Sequence, residues 1–283
     1  MQDWEEMIGV VIVSYRSDDL TVRFVREELV RITWPYKVVV VDNGASEDEA
    51  AALAARIPEA VVIPAENRGF AAGNNVGIRY LEESVHPTHI LLTNNDIVLY
   101  PGVVEQLVRS LEDHLEAGVA GPAVLGLDGK RQGPYPYLGL WDRYVWMYLS
   151  TRFLSPETKA RRFGLSYPDQ AQEGPQYALS GCFLLADPSV LRVVGGFDED
   201  TFLYAEENIL SDRMARLGKR FWFDPSVSVV HQHGATIKSR YSERESALLQ
   251  FDSMACYYRK YRGYSRLSIR LARAVYSLIL RLK

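Results

Sequence analysis

The chain has 283 residues, 47% hydrophobic and 24% charged, an ordinary globular composition with length for one sizeable α/β domain plus an appended segment. Its two cysteines, Cys182 and Cys256, lack any CxxC or Cys/His spacing, which excludes a disulfide framework and a zinc site; no apolar run of about 18 residues offers a membrane span. The net charge is −4, but residues 253–283 hold eight Lys and Arg and no acid, so the tail carries +8 and the remainder −12.

The start, MQDWEEMIGVVIVSY, is acidic where a secretory signal is positive, so a cytoplasmic protein is expected. IGVVIVSY (8–15) is a continuous apolar run, predicted to be a strand buried on both faces. A helix follows over roughly 19–32, and YKVVVVD (36–42) is a second buried strand. Ser46 caps a predicted helix over 46–57, where Glu47, Asp48 and Glu49 suit the positive end of the dipole. AVVIP (60–64) is a strand, 70–84 a helix, THILLTNND (88–96) a strand, and 101–117 a helix with Pro101 in its first turn. This alternation predicts a Rossmann-like α/β fold: a mostly parallel central sheet flanked by helices.

Residues 126–176 change character. Turn signals at Leu127-Asp128-Gly129-Lys130 and Gly133-Pro134 precede or flank a crowd of aromatics: Tyr135, Tyr137, Trp141, Tyr144, Trp146 and Tyr148. The segment reads as an irregular excursion over one face. Its aromatics fit packing, with sugar stacking or membrane contact as the sharper alternative. Regular structure resumes at 177–187, 195–218 and 220–234, and two helices close the chain. In the last of these, Leu267, Leu271, Val275, Leu278 and Leu282 share one helical arc, and Arg266, Arg270, Arg273 and Arg281 another. Residues 264–283 therefore suit either an anionic membrane surface or docking on the domain with the charges in water.

In an open parallel sheet, ligands bind beyond the carboxyl ends of the strands. Here the first strand ends Ser14-Tyr15-Arg16, the second Asp42-Asn43-Gly44 and the fourth Asn94-Asn95-Asp96, so their side chains should converge on one rim. The first turn, SYRSDD, has no glycine fingerprint and there is no Walker A loop, so nothing glycine-rich cradles phosphate. An acidic rim meets phosphate best through Mn²⁺ or Mg²⁺, with Asp96 the best candidate ligand.

VVIVSY, VVVDNGASED, ENRGFAAGNN, LLTNND, GGFDEDTFLYAEEN and a late HQHG occur in one order over roughly 8–236. This order resembles family 2 glycosyltransferases of the GT-A fold, and their rhamnosyltransferase-like branch in particular. The resemblance implies inverting transfer from a nucleoside diphosphate sugar, dTDP-rhamnose or a UDP-hexose, to a saccharide or lipid-linked saccharide in cell-surface polysaccharide synthesis. Residues 1–125 would be the nucleotide-sugar-binding half, 126–240 the acceptor-binding and catalytic half of the same domain, and 241–283 basic C-terminal helices. Such a protein has no nucleic-acid partner and would sit in the cytoplasm, peripheral at the inner face of the cell membrane if the tail binds lipid.

Position by position, the resemblance implies that Val13 and Ser14 lie along the nucleotide base and Asp42 accepts from base or ribose. Arg68, Asn74 and Asn95 would line the donor. Asp96 would hold the metal with help from His231. Glu207 would be the catalytic base, kept anionic by the dipole of the helix it begins, with Glu206 and Asp198 supporting base or acceptor. The next acid of the usual motif falls on Ile209. His231 and His233 share one strand face and also fit a structural role. Two other classes stay open: a sugar-nucleotide nucleotidyltransferase, disfavoured by the glycine-free first loop, and a non-catalytic carbohydrate-binding homologue.

Overall fold

Alternating side chains of the buried strands divide the core into two layers, one on each face of a single sheet. The computed structural model describes residues 7–150, 153–232 and 242–282, so His233 and the end of the HQHG segment lie outside the described residues. The strands are β1 (Ile8–Ser14), β2 (Tyr36–Asn43), β3 (Ala60–Ala65), β4 (His89–Thr93), β5 (Ile97–Val98), β6 (Ala117–Leu125), β7 (Gly174–Gln176), β8 (Phe183–Ala186) and β9 (Arg220–His231). Their order is β3-β2-β1-β4-β8-β6-β9-β5, with β7 paired to β9. Strands β3, β2, β1 and β4 are mutually parallel, as the β-α alternation predicts. Strand β8 runs antiparallel to both β4 and β6. It enters from the excursion and leaves directly into a helix, so it needs no crossover between parallel neighbours.

On one face, Val10, Ile12, Val38 and Val40 pack under α1 (Asp18–Arg23) with its continuing π-helical turn (Phe24–Glu28), α2 (Glu47–Arg56) and α4 (Val103–Asp113). On the other, Val11, Val39 and Val41 pack under α3 (Phe70–Ser84), α8 (Pro188–Val194) and α9 (Glu206–Ala215). Gly73 and Gly77 let α3 close on β1: an added Cβ would lie 2.9 Å and 2.5 Å from the side chains of Val13 and Val11. Ser46 and Glu49 form the reciprocal cap that starts α2.

Two predicted elements are shorter than their apolar pattern. The helix expected over 101–117 begins at Val103, because Gly102 takes a left-handed φ of 82° after Pro101, and ends at Asp113 before β6. Of the segment 177–187, expected to be regular, only Phe183–Ala186 forms a strand, leaving 177–182 as a loop on the rim. The excursion folds over a second π-helical turn (Asp142–Trp146), α5 (Met147–Leu149), α6 (Pro156–Phe163) and α7 (Tyr167–Gln170).

A third core joins this excursion to the tail. Tyr144 meets Phe251 of α10 (Glu243–Arg262) edge-on at 4.6 Å and Tyr276 of α11 (Arg266–Arg281) at 4.9 Å. Trp141 Nε1 donates to Ser268 Oγ at 3.1 Å. Helix α11 is thus docked, but not through its leucine arc. Ala272 and Tyr276 are buried, with Ile269 and Leu280 beside them, while Leu267, Leu271, Leu278 and Leu282 are 67%, 51%, 56% and 80% exposed. We predict that Tyr276→Ala costs about 3 kcal/mol of stability, the usual order for a large aromatic lost from a core. Urea denaturation reads the loss, and early proteolytic release of α11 should accompany it; an unchanged midpoint would mean that the helix is held elsewhere.

Candidate active site

The carboxyl ends of β1 and β2 open on a cleft of about 710 Å³, lined by Arg16, Ser17, Asp18, Asp42, Asn43 and Gly44 among others. That size suits a nucleoside. Asp42 is only 4% exposed. Burial, followed by repulsion from Asp18 and Glu49, pushes its carboxyl up to about 6. Gly44 turns with φ 91° against the Tyr15 ring.

Several expected donor residues serve the framework of this cleft. Ser14 is fully buried, accepts from Thr21 Oγ1 at 2.9 Å and lies 3.3 Å from Ser17 Oγ. Asn95 donates to Ser17 Oγ (2.9 Å) and Thr21 Oγ1 (2.8 Å), tying the end of β4 to the first loop. Val13 packs against Gly73 of α3. Asn74 is 1% exposed and donates to Phe70 O within its own helix. Arg68 stands on the rim, half-exposed and 3.2 Å from Glu199. Asn43, unassigned by sequence, holds the Asn67–Phe70 loop by donating to Asn67 Oδ1 (3.1 Å) and Gly69 O (3.2 Å).

The structure brings Asp96 and His231 side by side. His231 Nε2 lies 3.2 Å from Asp96 Oδ1 and 3.4 Å from Asn94 Nδ2, while its Nδ1 is 2.8 Å from Gln132 Oε1. Burial would lower the imidazole, but hydrogen bonds to Asp96 and Cys182 outweigh it and push His231 up to about 10. Gln132 Oε1 accepts from Nδ1–H and fixes the ring, so a cation at Nε2 would have to displace the proton that His231 shares with Asp96. One carboxylate and one imidazole 3.2 Å apart are a donor set that would suit a divalent cation. No third His, Cys, Asp or Glu joins them among the described residues. Diphosphate and water would complete the shell, as is usual for Mg²⁺.

Glu206 and Glu207 start α9 after two non-glycine residues in left-handed conformation, Tyr204 (φ 73°) and Ala205 (φ 72°). The pair divides as the helix geometry requires. Glu206 is buried, and its Oε1 has no hydrogen-bond partner. Glu207 is partly exposed and accepts from Gly181 N at 3.0 Å. Burial, then the neighbouring Glu207, pushes Glu206 up to about 8. Burial also raises Glu207, against the pull of Gly181 N–H and Arg143. The helix dipole alone predicted a readily ionised Glu207; desolvation reverses that direction.

Asp198 is buried in a cationic clamp instead of facing an open cleft. It accepts from Lys260 Nζ (2.7 Å) and Tyr261 Oη (2.5 Å) and pairs with Arg213 (3.2 Å). These partners overcome burial and hold its carboxyl low. Any support it gives the base runs through the loop it anchors. Ile209, where the motif usually has an acid, is 1% exposed in the tyrosine core, where a carboxylate would be left without a partner.

Glu207 and the Asp96–His231 pair are joined by a short bridge that sequence reading missed. Gly181 N holds Glu207, Cys182 bonds His231, and Cys182 O accepts from Asn94 N at 2.9 Å. The strand-like run 177–187 concealed it.

The comparisons agree with this architecture. The family described as "Glycosyltransferase like family 2" matches residues 6–246. The chain belongs to glycosyltransferase family 2. It is 28% identical to the N-acetylglucosaminyl-diphospho-decaprenol L-rhamnosyltransferase of Mycobacterium tuberculosis, over 80% of this chain and 76% of that one. It is 23% identical to the O-antigen chain rhamnosyltransferase RfbN of Salmonella typhimurium, over 87% and 71%. Among solved structures, the mannosyltransferase PcManGT of Pyrobaculum calidifontis, in complex with GDP-Man and Mn²⁺, superimposes with a TM-score of 0.58 at 15% identity, over 99% of this chain and 75% of that one.

The buried carboxylate pair makes stability depend on pH. Glu206 has a folded pKa raised above its unfolded value, so the folded state binds the extra proton. Its contribution is full below the ordinary glutamate range, near 4.5, and is lost as pH rises through about 8. We predict that wild-type stability falls across this window by up to about 1.4 kcal/mol per pH unit relative to Glu206→Gln. Urea denaturation of both proteins from pH 5 to pH 9 checks the sign; parallel curves would place the retained proton elsewhere.

Proposed function

We propose that this glycosyltransferase moves a sugar, with inversion, from a nucleoside diphosphate sugar to a saccharide carried on a lipid diphosphate. dTDP-rhamnose is the first donor to test and UDP-hexoses the second. The observation that carries the reading is the 181–182 bridge, which sets a desolvated carboxylate and an Asp–His pair on one rim beside a nucleoside-sized cleft. The M. tuberculosis and S. typhimurium relatives, both named rhamnosyltransferases, support the donor class, and the name of the first supports a lipid-linked acceptor.

In this mechanism Asp42 accepts from the nucleoside and the Asn67–Phe70 loop borders the donor sugar. Asp96 and His231 would hold Mn²⁺ or Mg²⁺. A bound divalent ion supplies Lewis-acid stabilisation of the departing diphosphate. Glu207 accepts the proton of the acceptor hydroxyl while that oxygen bonds the anomeric carbon from the far side, and the bond to the nucleoside diphosphate breaks. A carboxylate made more basic by burial suits this task near neutral pH.

Two variants separate these roles. Asp96→Ala should abolish the Mn²⁺-dependent part of nucleoside diphosphate affinity. Glu207→Gln should leave that affinity near wild type and lower turnover by about 10²–10⁴. Calorimetry with dTDP and UDP, with and without Mn²⁺, and steady-state transfer assays read the two effects. Metal-dependent binding that survives Asp96→Ala, or full turnover in Glu207→Gln, would overturn the assignment.

The exposed leucine arc of α11 adds a location to the reading. Leu267, Leu271, Leu278 and Leu282 lie alongside exposed Arg266, Arg270 and Arg281, a pattern suited to lying on an anionic bilayer that presents the acceptor. No helix among the described residues is long and apolar enough to cross a membrane. The double variant Leu271→Glu, Leu278→Glu should lose co-sedimentation with phosphatidylglycerol vesicles at low salt and keep activity on a soluble acceptor. Equal sedimentation of both proteins would remove the membrane role.

A further inference from the structure

Six aromatics of the excursion stood unresolved between packing and ligand contact, and the structure separates them. Tyr144 is buried in the tyrosine core, while Trp141 and Tyr148 pack against it. Tyr135, Tyr137 and Trp146 remain open, at 41%, 39% and 49%. Tyr135 is tied to the bridge that positions the base. Its N–H donates to Ala178 O at 2.8 Å, and its ring lies against Gly133, where an added Cβ would be 3.1 Å from the ring and 3.3 Å from Ser180 N. The following residue, Gly181, holds Glu207. Burial around the Tyr135 hydroxyl, and then the nearby Glu207 carboxylate, raise its pKa well above the phenol range. An open aromatic ring therefore borders the carboxylate assigned as base.

A second observation converges on the same place. Arg143 lies in the π-helical turn of the excursion, a local geometry frequent at functional sites. Its guanidinium bonds Tyr258 and acts electrostatically on Glu207 and Tyr135. Yet its Nε is buried with no hydrogen-bond partner, and so is Glu206 Oε1 in the adjoining carboxylate pair. A buried donor without a partner is costly unless a ligand satisfies it. Apolar ring surface beside a few fixed polar groups is the chemistry of a small-molecule subsite, and a saccharide offers both a weakly polar ring face and hydroxyl oxygens.

We propose that the acceptor saccharide rests a ring face on Tyr135 and places a hydroxyl oxygen on the Nε–H of Arg143, with its reacting hydroxyl beside Glu207. This rests on the reading of Glu207 as the base of a glycosyltransferase. The excursion thereby selects the acceptor, while the β1–β2 cleft and the Asp–His pair hold the donor.

The test uses the full chain with a short-chain N-acetylglucosaminyl-diphospho-lipid in transfer assays and octyl glycosides of N-acetylglucosamine, rhamnose, mannose and galactose in saturation-transfer NMR. Tyr135→Leu keeps bulk without the aromatic face and should raise the acceptor KM about tenfold or more and erase the ring-proton signals; Tyr135→Phe should behave as wild type. Arg143→Lys keeps the charge but not the Nε–H and should also raise the acceptor KM by about tenfold. In all three, affinity for dTDP or UDP with Mn²⁺ should stay within about twofold of wild type. Thermal melting confirms folding. An acceptor KM and NMR signals unmoved by Tyr135→Leu, or Tyr135→Phe as damaging as Tyr135→Leu, overturn the proposal while the transferase reading stands. A wild type that binds none of the glycosides overturns it too. A wild type that binds no nucleoside diphosphate with Mn²⁺ overturns the site reading itself, whatever Tyr135 does.

Discussion

The hydrogen bond from Gly181 N to Glu207 is the contact on which the arrangement of the rim depends. It needs a residue with no side chain, since a Cβ at Gly181 would lie 2.3 Å from Glu207 Oε1. The next residue, Cys182, faces the other way into the Asp96–His231 pair, and Phe183 then enters the sheet between β4 and β6. One short turn at the mouth of an antiparallel strand therefore fixes the spacing between Glu207 and the Asp96–His231 pair. That explains why β8 interrupts an otherwise parallel neighbourhood. A parallel strand here would reach the rim at its carboxyl end and leave into a crossover helix. The antiparallel strand arrives from the rim, so its entering turn lies where the chemistry is.

The other side of Glu207 is constrained by backbone strain. Tyr204 and Ala205 hold left-handed conformations that cost side-chain-bearing residues of order 1–3 kcal/mol each. The loop before them is stapled to α3 and the turn that enters it. Phe70 N donates to Phe202 O at 2.8 Å, Asn75 exchanges two hydrogen bonds of 2.9 Å with Phe197, and Gly69 leaves room for Phe202 where a Cβ would be 2.2 Å from its oxygen. The Asp198 clamp to Lys260, Tyr261 and Arg213 holds the loop from behind. Strain at the launch of α9 is thus supported from the donor loop on one side and α10 on the other. Precise placement of a carboxylate that burial would otherwise expel is the physical return on that strain.

Most of the donor half was legible in the sequence because its strands are continuous apolar runs closed by Asp or Asn. Such runs report both burial and the rim. Asp42 and Asp96 were visible for that reason, whereas the Glu206–Glu207 pair, at the start of a helix, was visible only through the family resemblance. The division of labour inside the rim was not. Ser14, Asn95 and Asn74 carry the right chemistry at the right positions, yet their polar atoms are used within the framework, and only hydrogen-bond geometry reveals this. Gln132, Arg143 and Gly181 were invisible because each acts across more than 20 residues of chain from its partner and no periodic pattern marks it. The helical wheel of α11 sorted leucines from arginines correctly, but a wheel carries no information about which arc meets protein.

The tyrosine core resolves the oddest feature of the motif. Ile209 stands one turn beyond the carboxylate pair, on a face of α9 covered by Leu140, Tyr144, Phe251 and Tyr258. Tail and excursion together roof that face, so an acid at 209 would be sealed from water. Arg262 has its partner elsewhere, on Asp212, and stacks on Tyr137 at 4.3 Å. An apolar residue at 209 is therefore what the roof requires and need not signal decay of catalysis. The same roof carries Arg143 towards Glu207 on its inner side and leaves the leucine arc of α11 open on its outer side. Arg143 and the outward leucine arc thus belong to one packed unit, held by Tyr276 between Tyr144, Tyr148 and Phe251. If the leucine arc lies on a bilayer as proposed, this aromatic packing fixes the orientation of the residues beside Glu207 relative to that surface, without any moving part.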